Sequence, residues 1–173
     1  MRMKCILEFV PAMSANRFRR LRDRIVAILI VNAVPFLNGL RLHDSSWHKP
    51  VKELASYHDD TWGKQVVNFL DRHRFHEFLP KYEVHDSMHV LLSYEVSAVD
   101  ELRLQAFMIG NRGASVPGKI LVVLGLMILP ETLPTLIEAY RRGRHSPQIR
   151  DWPVEDLLGQ RLIELQSKLA PLL

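Results

Sequence analysis

The chain carries one cysteine, Cys5, in 173 residues. That excludes an internal disulfide framework and a cysteine-rich zinc site, and it is compatible with a reducing compartment. No apolar run reaches the ~20 residues a spanning helix needs. Ile25 to Val34 carries Asn32 and stops at Pro35, and the run from Ile120 to Leu129 stops at Pro130. Both read as buried or interfacial helices. Aromatic residues make up only 8% and none interleaves with the arginines, which argues against a nucleic-acid partner. With 8 glycines and 10 prolines the chain is not of low complexity. The N-terminal arginines precede an apolar run with no small-residue cleavage site behind it, so no signal peptide is expected. An Arg-rich start also suits a mitochondrial transit peptide, but Glu8 and the lack of serine enrichment weigh against that.

What is present suits one domain over residues 1–173, long enough to bury a sizeable core. The net charge of +4 is unevenly placed. Arg2, Lys4, Arg17, Arg19, Arg20, Arg22 and Arg24 face only Glu8 and Asp23, and Arg141, Arg142, Arg144 and Arg150 form a second cluster. Such clusters attract phosphate, here on anionic lipid rather than nucleic acid, and read equally well as solvated helix faces.

The pattern predicts helices joined by short loops, with no strand alternation. Ser14 opens a helix over 14–34, and 38–50 is a polar loop. Short helices follow over 51–57 and 61–73, the second with Trp62, Val66, Phe69 and Leu70 on one face. After Pro80, a helix over 82–94 carries Val84, Met88, Leu91 and Leu92. Ser97 and Asp100 read as a capping box opening the next helix, which runs to Gly110. A helix over 117–142 is expected to kink at Pro130 or Pro134 and to end with Gly143 at its C′ position. A last helix is expected over 153–169. The fold class is therefore all-α, a single-domain helical bundle.

Against that background one stretch stands out, "YEVHDSMHVLLSYEVSAVDELRLQAF" at 82–107. His85 and His89 lie four residues apart, which puts two imidazoles on one helix face. Asp86 sits ~100° around, still able to reach the rim of the same site. Glu101 follows His89 after eleven residues. On one straight helix it would be ~18 Å away. A helical hairpin turning at 95–97 brings it opposite His89 instead. Two imidazoles and two carboxylates suit Zn²⁺, Fe²⁺ or Mn²⁺ better than Mg²⁺. A histidine pair at this spacing also arises by chance. His43, His48, His58, His73, His76 and His145 read as surface or core residues.

His85-Asp86-x-x-His89-x11-Glu101 resembles the H-D-x-x-H-x11-E signature of the coenzyme Q biosynthesis protein 4 family. "GKQVVNFLDRH", "LPKYEVHDSMHVL", "ELRLQAF" and "ILPETLPTLIEAYRRGR" resemble its segments around the motif, so the resemblance covers roughly 45–170. Leu92-Ser93 stand where the family tends to have Thr-Gly. The resemblance implies an all-α fold and a metal, zinc first with iron or manganese as alternatives, held by His85, Asp86, His89 and Glu101. It also implies ubiquinone-type biosynthesis, with metal-dependent C1 decarboxylation and hydroxylation of a polyprenylated hydroxybenzoate. Asp86 or Glu101 would exchange protons, and Leu121, Leu124, Met127 and Ile128 would line a lipid-tail pocket, although that run reads equally as plain core. The expected partners are a prenylated lipid or quinone precursor, a membrane surface, other enzymes of the route and a second copy of the chain. The expected location is the cytoplasmic face of a membrane, or the mitochondrial matrix side. A non-catalytic lipid-binding scaffold with a structural metal is the second reading, and a metal-dependent phosphohydrolase the third.

Overall fold

The computed structural model describes residues 21–22, 24–28, 49–75, 77–78 and 82–171. Ser14 and most of the expected 38–50 loop lie outside them; the described positions between 21 and 28 are helical. The helices that follow are α1 (Val51–Leu54), α2 (Trp62–Arg72), α3 (Glu83–Leu92), α4 (Ala98–Gly110), α5 (Val116–Ile128), α6 (Leu133–His145), α7 (Val154–Leu157) and α8 (Leu162–Ser167). Short 3₁₀ turns occupy Pro130–Thr132 and Ile149–Asp151. Among the described residues there is no strand, only one antiparallel bridge between Thr61 and Arg161. The all-α single-domain bundle expected from the sequence is the observed architecture.

Local chemistry sets most helix starts. Thr61, Ser97 and Ser115 each accept from the N–H three residues on, at Lys64, Asp100 and Gly118. Asp100 does not complete the expected reciprocal box: its carboxylate accepts from the Ser97 hydroxyl at 2.9 Å. Helix α2 buries Trp62, Val66, Phe69 and Leu70, the predicted face, into the core.

Three expectations are corrected. The helix expected over 117–142 is two helices, α5 and α6, bent by 113° through the 3₁₀ turn. Pro130 opens that turn and Pro134 sits in the first turn of α6, where a missing N–H costs nothing. Gly143 is not a C′ residue but lies inside α6. A Cβ there would collide with the Phe107 carbonyl of α4, and one on Gly110 would collide with the Tyr140 carbonyl of α6. These two glycines bring α4 and α6 backbone to backbone, and that pair forms the most extensive helix contact. The helix expected over 153–169 is split by a turn at 158–160. That turn is held from outside: Trp62 N–H donates to the Gln160 carbonyl and Gly63 N–H to the Leu158 carbonyl, both at 2.8 Å. It supplies acceptors that the first turn of α2 lacks.

Arg142, read as part of a surface basic cluster, is buried. It donates to the carbonyls of Leu92 at 2.9 Å and Ala170 at 3.0 Å, beside the rings of Tyr94 and Phe107. It thus ties α6 to the end of α3. No single helix among the described residues is long and apolar enough to cross a membrane; Val116–Ile128 and Pro130–His145 pass that test only together, as a bent pair.

Candidate metal centre

Helix α3 turns Met88, Leu91 and Leu92 into the core. Its remaining inner edge carries His85 and His89, whose rings meet edge to face. Ser93 then ends α3 in left-handed geometry, φ 60° and ψ 43°, and Ser97 starts α4 a few residues later. That reversal brings Glu101 back to the histidines, as the spacing predicts.

Three donor atoms converge. His85 Nε2 and His89 Nε2 are 3.2 Å apart. Glu101 Oε2 lies 3.3 Å from the first and 3.2 Å from the second. A four-coordinate cation with bonds of about 2.0–2.1 Å at tetrahedral angles separates its ligands by about 3.3 Å. The edges of this triangle fit that geometry, so the three residues could hold a metal ion. Asp86 is not brought into the group; it lies half-buried, one residue on from His85.

The surroundings are apolar and close. The His89 side chain is 5% exposed, Glu101 12% and His85 19%. Phe69 of α2 stacks on His89 with centroids 5.7 Å apart, and Tyr82 meets His85 edge-on. The Nδ1 of His89 is buried without a hydrogen-bond partner. Burial pushes the Glu101 carboxyl up, but the adjacent His85 and His89 imidazoles outweigh it and hold it well below its ordinary value. Glu101 is therefore an ionised acceptor at neutral pH.

His85 is also in the wall of a cleft of about 140 Å³. Val84, Met88, Leu104 and Met108 supply its apolar lining, and Gln105, Gly113, Ala114 and Ser115 complete it. None of the expected tail-lining residues is among them. Helix α5 turns Gly118, Val122 and Gly125 inward at helical spacing, which leaves the opposite face outward. Leu124 is 41% and Met127 76% exposed. Leu121 and Ile128 are half-buried against the core. Of the cleft residues, His85 was read as a ligand and Val84 and Met88 as a helix stripe, but Gln105 went unread, although it follows Glu101 at the same four-residue interval as His89 follows His85.

No protein-family model and no curated protein sequence matches the chain. Its fold is similar to a crystal structure from Nostoc punctiforme PCC 73102, of a protein provisionally described as a ubiquinone biosynthesis protein. The TM-score is 0.59 at 18% identity, over 98% of this chain and 96% of that one.

Proposed function

We infer that the protein is a metal-dependent member of the coenzyme Q biosynthesis protein 4 family. Its substrate is a polyprenylated hydroxybenzoate precursor, which loses the ring carboxyl at C1 as CO₂; the hydroxylation coupled to that loss is a two-electron oxidation and would draw on dioxygen as the external oxidant. The observation that carries this reading is the triangle of His85 Nε2, His89 Nε2 and Glu101 Oε2, spaced in sequence as the family motif. The fold likeness to the Nostoc protein supports it.

A bound divalent cation, zinc or alternatively iron or manganese, would supply Lewis-acid stabilisation of the negative charge that develops as CO₂ departs. The chain's own residues do the rest. His85, His89 and Glu101 would hold the cation, and three protein donors would leave it a coordination position for substrate. Three protein donors rather than four favour catalysis over the closed site of a scaffold. Val84, Met88, Leu104 and Met108 line the cleft beside His85 and would shield a bound ring from water. Asp86, half-buried and outside the triangle, is the proton acceptor in this reading. Val123, Leu124 and Met127 form part of an outward apolar strip on α5. That strip suits an isoprenoid tail at a membrane surface, with the exposed Arg141, Arg144 and Arg150 drawing anionic lipid.

The test is metal content and turnover together. Purified protein is expected to hold one divalent transition metal and to convert a prenylated hydroxybenzoate, with product followed by mass. Glu101→Ala should lose both while staying helical. A metal-free wild type at neutral pH, or product formation by Glu101→Ala at the wild-type rate, overturns the reading.

A further inference from the structure

Gln105 stands on α4 one turn beyond Glu101, and its Nε2 donates to Glu101 Oε1 at 2.9 Å. Charge dictates the amide orientation, since an ionised carboxylate only accepts. The amide oxygen therefore points the other way, onto Gly118 in the first turn of α5. A Cβ on Gly118 would collide with Gln105 Oε1, so glycine leaves the space the amide fills. Ser115 closes the same turn by accepting from Gly118 N–H at 3.2 Å. The amide is thus clamped between a carboxylate and a neighbouring helix, in the wall of the cleft that also contains His85.

This clamp divides the two oxygens of Glu101. Oε2 faces the imidazoles and Oε1 is taken by the amide. The last torsion of a glutamate is broad and soft. Unclamped, the carboxylate could turn both oxygens toward a cation and fill the position a substrate needs. We propose that Gln105 is the positioning residue of this centre: it restricts Glu101 to one-oxygen ligation and so keeps a coordination position open on the cleft side. The proposal rests on the metal-dependent reading above.

Gln105→Met keeps the length and removes the donor. Gly118→Ala keeps Gln105 but pushes a methyl group into the space its amide oxygen occupies. Both proteins should match the wild type in helix content and remain cooperatively folded without metal, with at most a modest fall in melting temperature from the lost hydrogen bond. Competition with a chelator should show Zn²⁺ held about tenfold or more weakly, as removal of an outer partner of a ligand usually does. With Co²⁺ as probe, a second carboxylate oxygen raises the coordination number and lowers the visible absorption. Both variants should show that loss, and a merely structural residue would not produce it. If the wild type binds Zn²⁺ and both variants bind it equally well with the wild-type Co²⁺ spectrum, the positioning role is wrong while the metal site stands. If the wild type binds neither ion, the underlying reading falls and takes this proposal with it.

Discussion

The indole N–H of Trp62 donates to the carbonyl of Ser87 at 3.1 Å, fully inside the core. Ser87 lies midway between His85 and His89. One hydrogen bond therefore fixes the ligand-bearing helix α3 against α2, and α2 in turn stacks Phe69 on His89. Trp62→Phe would leave the Ser87 carbonyl its helical partner but remove this bond and leave a small void. A loss of about 1–3 kcal/mol is expected from the hydrogen bond and the missing ring together. Urea unfolding measures it, and Zn²⁺ affinity should fall with it because α3 loses its anchor. Unchanged stability would mean the bond does not hold the helix.

Ser93 occupies a left-handed position that costs a non-glycine residue about 1 kcal/mol. Ser93→Gly should relieve that strain, less whatever the exposed hydrogen bond from Gln166 Nε2 to the Ser93 hydroxyl contributes. A net gain of about 0.5–1 kcal/mol is expected. Ser93→Val, β-branched at positive φ, should lose more than the glycine gains. Thermal unfolding of the two variants would decide it; equal melting temperatures would show the turn to be unstrained.

Ser93 also marks what was legible in the sequence. The family that the sequence resembles tends to have glycine at this point, and the backbone here takes the left-handed geometry that glycine tolerates. The cap at Ser97 and the apolar face of α2 were equally legible, because each depends on residues within one or two turns; the caps at Thr61 and Ser115 are as local but went unread. The convergence of His85, His89 and Glu101 followed from helical spacing and one turn. What was not legible depends on distant chain. Gly143 reads as a helix stop until α4 is packed against it. Arg142 reads as surface charge until the Leu92 and Ala170 carbonyls close over it. The break in the C-terminal helix is made by N–H groups of α2, about a hundred residues earlier, and no local pattern records them. Leu124 and Met127 were placed inward because a wholly apolar run does not say which face is buried; the small residues Gly118 and Gly125 decide that.

His73 offers a pH test beside the three donors, with Phe69 between it and His89. Its side chain is buried and its Nε2 lies 2.9 Å from Glu95 Oε2, with Phe69 edge-on and Arg72 paired to the same carboxylate. Burial pushes its pKa below the ordinary 6.5, and the Glu95 carboxylate only partly offsets this. A depressed pKa means the unfolded chain binds the proton more readily. The stability from a neutral His73 is therefore present above about 6.5 and lost as pH falls through that value toward the folded pKa. The His73→Gln protein should be less stable near neutral pH, yet lose less on going from about pH 7.5 to about pH 5. Parallel melting-temperature curves for wild type and variant would contradict this.

The outward face of α5 should serve binding rather than folding. Met127 is exposed, so Met127→Glu is expected to change stability by no more than about 0.5 kcal/mol. If the strip meets a bilayer as proposed, the new carboxylate should weaken binding to vesicles containing anionic lipid, measured by sedimentation. Wild-type binding should itself weaken as salt rises, because exposed charge contacts are screened. Vesicle binding by Met127→Glu equal to the wild type would remove α5 from any membrane contact.

Asp86 and Glu101 are separable, although the sequence motif treats them alike. Glu101 Oε2 contacts both imidazoles, whereas Asp86 lies outside the group of converging donors. Glu101→Gln should therefore lose most bound metal, because a neutral amide replaces the anionic donor. Asp86→Asn should retain metal within a few-fold, since it removes charge near the site but no atom of the triangle. If Asp86 takes up a proton during the reaction, Asp86→Asn should still bind the prenylated ring, keep its metal, and turn over at least about a hundredfold more slowly, the usual loss when a general base is removed. The measurements are metal stoichiometry after dialysis and product formed from a prenylated hydroxybenzoate. Loss of metal from Asp86→Asn would make Asp86 a fourth ligand, closing the site and favouring the scaffold reading. Full turnover with metal retained would leave Asp86 without a chemical role.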